Sequence, residues 1–492
     1  MGSPRPDQHI QPNIILFHAE SMDGRKMGCM NHPAMARATL HLDRLAEEGA
    51  LFTNAYSTCP VCNPSRASML SGRYPHHYGC WNNHEGLRPG VPTFLSTLAA
   101  AGYVIQTFGG LDYRYGAHSI RDRVGSWTRA AGIKRPLVRT PLPKVFPDGE
   151  DVWRGDWEKV HQAIDWLEQK RPPHRPFLLY LSTSLVHPPY KVEEQYLKMI
   201  DAGKIDIPPA DDTDHPVDQY QRITKNACRR APLDLVLTVR HVYMAMIANL
   251  DAMLGRLFAA IERMELGKST YVIFLSDHGD MAMEHGQILK RTMYEPAIHV
   301  PLIITGPGVQ KGQVIEEPVS LIDIYPTLMD MCGLKAPHEL DGESLLPVVE
   351  GAARPGRGWA FAEYHGDRCL TGTFMLRKGD WKYIKYAGYR PHLFRLSDDP
   401  WEIRDLAGER ADVVAELEAL MSTIVDCEAV DARAKAYDKE SFRLWRLKQK
   451  AEGTYEKNMA LIYSGFDAVR LDDLAAWTEE DEALIRHWLG EK

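Results

Sequence analysis

An α/β fold, with a largely parallel sheet covered by helices on both faces and a smaller C-terminal α+β domain, is predicted by three observations. Short apolar runs without alternation recur at Ile14–Phe17, Phe177–Leu181 and Tyr271–Leu275, as in strands buried on both faces. Segments with apolar residues at helical spacing separate them, which is the pattern of strand–helix–strand units. The runs end in acidic and histidine residues, and open parallel sheets carry their sites beyond the carboxyl ends of their strands.

In chain order, Asn13 to His18 reads as a buried strand that ends in His18-Ala19-Glu20-Ser21-Met22-Asp23-Gly24-Arg25. A helix follows, with Leu40, Leu42, Leu45 and Ala46 on its apolar side and Gly49 as its stop. Leu51 to Ala55 is a second strand and leads into the segment Cys59 to Arg73. Thr93 to Ala101 reads as a helix stopping at Gly102, and Tyr103 to Phe108 as a strand. Trp157, Val160, Ile164 and Leu167 fall at helical spacing, and the strand Phe177 to Leu181 runs out into Ser182-Thr183-Ser184-Leu185-Val186-His187. Leu233 to Met264 is a long helix closed by Gly267, and Tyr271 to Leu275 is a strand ending in Ser276-Asp277-His278-Gly279-Asp280. Val300 to Thr305 and Val319 to Ile322 read as strands, the latter before a helix opened by Pro326.

The pattern changes near residue 355, so the chain divides into 1–355 and 356–492. Thr373 to Leu376 and Trp381 to Tyr386 flank Arg377-Lys378-Gly379-Asp380 and read as a hairpin. A helix is expected from about Asp412 to Ile424. The tail from Tyr437 to Lys492 carries tryptophans and charged helical patterns that suit packing on the body or on a partner copy, a possible homo-oligomer contact.

The composition is that of a globular protein: 492 residues, 44% hydrophobic and 25% charged. The net charge of -8 argues against nucleic acid and against a polybasic membrane patch. No apolar run approaches the roughly 18–20 residues of a membrane span. Residues 1–11 are polar and lack the apolar core of a secretory signal. The expected compartment is the cytoplasm, or the periplasm or exterior after a signal is removed. Eight cysteines in this length do not make a disulfide scaffold.

The segment Cys59-Pro60-Val61-Cys62-Asn63-Pro64-Ser65-Arg66, followed by Leu70-Ser71-Gly72-Arg73, carries the chemistry. A bend leading into a helix places Cys62 at the helix N-terminus, where backbone N–H groups and the dipole favour an anion. Arg66 lies one turn on, on the same face, and grips tetrahedral oxygens through a fork of N–H bonds. The bare pattern is a nucleophile facing an oxyanion. Cys59 and Cys62 also form a C-x-x-C pair, as in a redox dithiol or half a zinc site. A redox pair has no use for Pro64, Ser65 and Arg66, and a zinc site needs a second C-x-x-C that the chain lacks.

Cys-x-Pro-Ser-Arg followed by Leu-x-Gly-Arg resembles the motif of the type I sulfatases. The resemblance implies an alkaline-phosphatase-like fold and conversion of Cys62 to formylglycine by a formylglycine-generating enzyme. It further implies a divalent cation, Ca²⁺ with Mg²⁺ or Mn²⁺ as substitutes, on Glu20, Asp277, His278 and the side chain at position 62. His278, where asparagine is commoner, points to the subgroup that includes phosphonate monoester hydrolases. By family position Arg66 stabilises the sulfate charge, the hydrated aldehyde attacks sulfur, and His215 or Lys290 protonates the leaving alcohol. Asn83 is expected to touch sulfate, His118 or Arg114 to replace a missing cation, and His285 and His365 to meet a sugar carboxylate or hydroxyl.

The likeness extends through Trp81-Asn82-Asn83, Phe108-Gly109-Gly110-Leu111-Asp112-Tyr113, His215-Pro216-Val217-Asp218, Thr224-Lys225-Asn226, Ala282-Met283-Glu284-His285 and Glu363-Tyr364-His365-Gly366. These stretches are similar to a branch of the family that removes sulfate from 2-sulfated glucuronate. Two positions depart from the pattern: Glu20 stands where the family has Asp, and Gly110 where it has a sulfate-binding lysine. The substrate implied is a sulfated uronic acid or related sugar. The competing readings are a promiscuous aryl sulfatase or phosphonate monoester hydrolase, and an inactive relative that binds sulfated glycans.

Overall fold

The structure, a computed structural model, describes residues 11–110, 112–118, 120–133, 142–211, 213–222, 231–352, 356–463 and 477–491. Within the sequence stretches above, Thr224-Lys225-Asn226 and Leu111 lie outside the described residues.

The strands in chain order are β1 (Asn13–Ala19), β2 (Ala50–Phe52), β3 (Ala55–Tyr56), β4 (Val104–Phe108), β5 (Lys144–Phe146), β6 (Phe177–Ser182), β7 (Lys191–Glu193), β8 (Thr270–Ser276), β9 (Leu302–Thr305), β10 (Gln313–Ile315), β11 (Val319–Ser320), β12 (Trp359–Tyr364), β13 (Thr373–Lys378), β14 (Trp381–Tyr386) and β15 (His392–Arg395). Seven form the main sheet, in the order β10-β2-β9-β8-β1-β6-β4. Its centre is parallel: β1 pairs with β8 on one side and β6 on the other, and β6 with β4. β9 runs antiparallel to both its neighbours, which makes the sheet mixed.

The all-apolar strands work because both faces are covered. Along β1, Ile15, Phe17 and Ala19 point into one core with the helices Leu40–Glu47, Arg154–Asp165 and Leu233–Arg263. Ile14 and Leu16 point into the other, against Met69 and Leu70 of the helix Cys62–Ser71 and against Phe94, Leu98, Ile324 and Leu328. The period of two is thus preserved inside a run that shows no polar alternation. The helix Leu233–Arg263 is long and apolar enough to cross a membrane by composition, yet 72% of its most apolar window is buried inside the protein.

Several boundaries differ from the sequence reading. Leu51–Ala55 is two strands, because β3 leaves the main sheet to pair with β11. Gly49 is not a left-handed cap: Glu48 ends that helix, and a Cβ at 49 would lie 2.3 Å from the Ile304 carbonyl oxygen. The long helix ends at Arg263, before Gly267, with Glu265 taking the left-handed conformation.

β12 to β15 form an antiparallel sheet in sequential order. The β13–β14 hairpin turns through Gly379-Asp380, with Gly379 at φ +52. One face of this sheet carries Ala360, Ala362, Met375 and Ile384 onto Tyr56, Val61, Ala297 and Ile298 of the first part of the chain. The other carries Phe361, Phe374 and Leu376 onto the helix Ala411–Ile424. The tail then returns to the body: Phe442, Tyr455, Met459, Ile485 and Leu489 pack on Val124, Trp127 and Ile133.

One ion cluster ties the antiparallel sheet to the first part of the chain. Lys382 on β14 is fully buried, with Nζ 2.9 Å from Glu295 Oε1 and 2.8 Å from Glu402 Oε1. Removing one partner of a buried charge cluster leaves uncompensated charge. Lys382→Met is therefore expected to cost about 3–5 kcal/mol in urea unfolding; a cost under about 1 kcal/mol would show that the cluster contributes nothing net.

Candidate active site

The site is assembled at the carboxyl ends of β1 and β8. Their parallel register pairs Ala19 with Ser276, so the next residues, Glu20 and Asp277, emerge side by side. The chain turns sharply after Glu20, with Ser21 at φ +64. The turn is held by Ser21 N–H donating to Asp277 Oδ1 at 3.2 Å, Met22 N–H to Ser276 Oγ at 3.0 Å, and Tyr243 OH to the Ser21 carbonyl at 2.8 Å.

Cys62 is the first residue of the helix Cys62–Ser71, after an extended Val61, as its sequence predicts. Pro64 falls in the first turn, where a missing N–H costs no helical bond. Ser65 fixes the helix start over the sheet by donating to the Asp277 carbonyl at 2.7 Å. All ten residues of the helix are buried. Cys62 Sγ lies 3.3 Å from His278 Nε2 and 3.5 Å from Glu20 Oε1. Burial pushes the Cys62 thiol up, so the unmodified side chain is a neutral thiol.

Arg66 gathers the acidic groups. Its Nε donates to Asp277 Oδ2 at 2.9 Å, one Nη pairs with Asp112, and the other is 3.4 Å from Glu20 Oε2. Burial would raise the Asp277 carboxyl, but the positive charges of Arg66 and Lys290 outweigh it and hold it well below the carboxylate range. Burial lowers His278 to about 3, so its ring is neutral. Its Nδ1 is 2.9 Å from the Gly279 carbonyl. That hydrogen bond puts the proton on Nδ1 and leaves the Nε2 lone pair facing Cys62. Lys290 is buried, with Nζ 3.5 Å from Ser21 Oγ.

Cys62, Asp277 and His278 bring their donor atoms within 4.8 Å of one another, and Glu20 adds a carboxylate beside Cys62. The set is two carboxylates, one imidazole with its lone pair free, and the side chain at 62. This donor set suits a hard divalent cation.

A family model described as Sulfatase matches residues 12–334. A second, described as N-sulphoglucosamine sulphohydrolase, C-terminal, matches residues 283–426. The chain belongs to the sulfatase family. It is a sulfuric ester hydrolase. Similar proteins include Arylsulfatase K of Danio rerio, 35% identical over 92% of this chain and 91% of the relative. Arylsulfatase K of Homo sapiens is 35% identical over 90% of this chain and 88% of the relative. Among solved structures, a phosphonate monoester hydrolase of Agrobacterium radiobacter superposes with TM-score 0.68 at 23% identity, covering 86% of this chain and 96% of that one. A structure described as a 2-O GAG sulfatase gives TM-score 0.68 at 23% identity, covering 86% and 94%. The main sheet of this sulfatase is thus of the alkaline-phosphatase-like kind.

The structure brings most of the sequence-derived residues together. Asn83 touches the helix start, its Oδ1 accepting from Asn63 N–H at 3.1 Å. His118 Nε2 is 3.6 Å from Asp112 Oδ2, and so joins the Arg66 cluster. His187 Nε2 is 4.0 Å from Glu20 Oε1. Two residues stand elsewhere. His365 is buried between Trp81 and Phe374 with Nε2 2.9 Å from Glu363 Oε2, and a core histidine there meets no sugar. His215 caps the helix Pro216–Gln221: Val217 N–H donates to its Nδ1 at 3.3 Å and Nε2 lies 2.9 Å from the Arg390 carbonyl. With both ring nitrogens engaged and no contact to Cys62, Glu20 or Asp277, it is not placed to protonate a leaving group. Lys290 is.

Sequence reasoning missed Asp112, which links Arg66 to His118. Its position just past the carboxyl end of β4 was the available signal. It also missed Tyr180, whose hydroxyl is 2.5 Å from His18 Nδ1. Tyr180 explains Gly110: the residue sits at φ +74, and a Cβ there would lie 2.8 Å from Tyr180 Cε1. The tyrosine ring stands where a lysine side chain would begin.

His215 belongs to a second buried cluster. Burial would lower His392, but hydrogen bonds to Asp218 (2.9 Å) and Asp405 (2.8 Å) outweigh it and hold it up at about 9. A folded-state value above the unfolded value of 6.5 means stabilisation that is complete below pH 6.5 and lost as pH rises through about 9. Urea unfolding is expected to lose on the order of 3 kcal/mol between those limits, and His392→Gln should flatten that slope. An equal slope in the variant assigns the loss to another group.

Proposed function

We propose that this sulfatase removes the 2-O-sulfate of a uronic acid or related sugar, using a formylglycine made from Cys62 and a divalent cation, with Ca²⁺ the first candidate. The observation that carries the reading is the position of Cys62. It opens a buried helix with an imidazole lone pair, two carboxylates and the Arg66 guanidinium converging on it. Arylsulfatase K as the name of relatives at 35% identity, and a 2-O GAG sulfatase among the structural neighbours, support the substrate class.

Formylglycine, when present, supplies an oxygen nucleophile at position 62. Glu20, Asp277 and His278 would hold the cation, which would offset sulfate charge. The chain's own residues do the rest. Arg66 offers N–H groups to the sulfate oxygens while its Nε stays on Asp277. Asn83 and Asn63 shape the floor beside the helix start. Lys290, held out of bulk water beside Ser21, gives a proton to the departing sugar oxygen.

The test is an aldehyde-reactive probe on protein made with its maturation system, read as labelling of the Cys62 peptide, followed by assay on 2-sulfated uronides. Labelling with turnover upholds the proposal; a thiol at 62 in active protein overturns it. Cation binding is read separately: Ca²⁺ at 100 times its Kd should stabilise by about 2.7 kcal/mol, and Glu20→Ala should abolish that shift. An unchanged shift in the variant removes Glu20 from the ligand set.

A further inference from the structure

Beyond residue 426, where the second family match ends, the helix Cys427–Ala451 lays Arg433 and Tyr437 over the segment that follows the catalytic helix. Together they close a cavity of about 300 Å³ whose wall includes Trp81, Glu85, Arg88, Tyr115, Arg433 and Tyr437, at the small end of ligand sites.

The cavity is cationic and aromatic. Arg433 stands 5.3 Å from the Trp81 ring and donates to the His76 carbonyl; Arg88 stands 4.6 Å from the Tyr115 ring. Stacking fixes each guanidinium plane and leaves N–H edges for a ligand. Both arginines are exposed, and among the described residues no carboxylate pairs with either. Glu85, buried in the same wall, is 3.3 Å from Arg123 Nε, which offsets its charge. It remains a strong acceptor for a hydroxyl.

The cavity shares a wall with the catalytic cluster. A Cβ on Gly86 would lie 2.3 Å from Asn63 Oδ1, and Asn63 follows Cys62. A second line of contacts runs from Arg66 through Asp112 and His118 to His84, whose Nδ1 is 2.7 Å from the His118 carbonyl. The His84 ring meets Tyr115 edge-on at 5.5 Å.

We propose that this cavity is a subsite for the sugar next to the sulfated one, taking an anionic pyranose. Its carboxylate or sulfate pairs with Arg88 and Arg433, its ring lies against Tyr437, and a hydroxyl donates to Glu85. The proposal rests on the reading of a sulfated sugar as substrate and makes that substrate an oligosaccharide. The specificity element is then supplied by the tail helix, outside both family matches.

The experiment compares matured wild type with the double variant Arg88→Ala/Arg433→Ala on two substrates. One is a 2-sulfated uronosyl tetrasaccharide; the other is 4-nitrophenyl sulfate, which carries no neighbouring sugar. The ratio of their kcat/KM values should fall about 10- to 100-fold in the variant, through KM, as for lost charge-assisted hydrogen bonds. Arg433→Lys should recover only part, because an ammonium lacks the fork. An unchanged ratio overturns the subsite. If wild type cleaves neither substrate, the functional reading falls instead. The subsite is then read by calorimetric titration of the same tetrasaccharide: weaker binding by the variant supports it, and equal binding overturns it.

Discussion

Cys62→Ala is expected to lower kcat/KM for any sulfate ester by at least about 10⁴-fold, while costing only about 1 kcal/mol of stability for a small buried truncation. The reason is geometric. Cys62 is the side chain on which His278 Nε2 and Glu20 Oε1 converge, and its Cβ opens the helix whose next turn carries Arg66. Nothing else among the described residues holds a nucleophile in that position. Serine neighbours do not substitute: Ser65 is committed to the Asp277 carbonyl, and Ser21 lies beside Lys290. The measurement is steady-state turnover of an activated aryl sulfate, with urea unfolding as the control. Retention of more than about 1% of wild-type turnover would falsify the assignment of the nucleophile.

Arg66→Ala should fail in two ways at once. Turnover is expected to drop about 10²- to 10³-fold, the usual cost of a donor aimed at developing negative charge. Stability should also fall by about 3–5 kcal/mol, because Asp277, Asp112 and Glu20 would share a buried space without their guanidinium. Arg66→Lys separates the two effects. A lysine restores the charge that holds the carboxylates but not the planar fork, so stability should return further than activity. The kinetic and unfolding measurements are made on the same preparations. Full activity in Arg66→Lys would mean that only charge matters at this position; full stability in Arg66→Ala would mean that the carboxylates are neutral in the resting protein.

The three central strands and the residues at their ends were legible because buried parallel strands are written as continuous apolar runs, and β1, β6 and β8 are such runs. The helix at Cys62 was legible from its short motif. What could not be read were features set by distant neighbours. β9 carries an apolar run like the others, and only its pairing with β2 and β8 makes it antiparallel. Gly49 and Gly110 look alike as punctuation, yet one makes room for the Ile304 backbone and the other for the Tyr180 ring. His215 and His365 carried site-like surroundings in sequence, and tertiary packing used both as interior hydrogen-bonding groups. Asp112 was passed over because a lone acidic residue after a strand carries little signal until Arg66 is seen facing it.

The helix that begins at Cys62 has no exposed residue, and Cys62 itself is only 2% accessible. A second protein cannot grip a peptide that is helical, packed on β1 and β8, and covered by the segment 81–88. Any enzyme that oxidises this thiol must therefore meet the segment 59–73 before the helix docks. If Cys62 is converted as proposed, conversion and folding become competing fates of the same nascent polypeptide, and the winner is fixed once the helix docks. The fraction of active molecules would then be a record of synthesis conditions, set by relative rates rather than by equilibrium. Slowing translation or folding should raise it, and adding the maturation enzyme to finished protein should not.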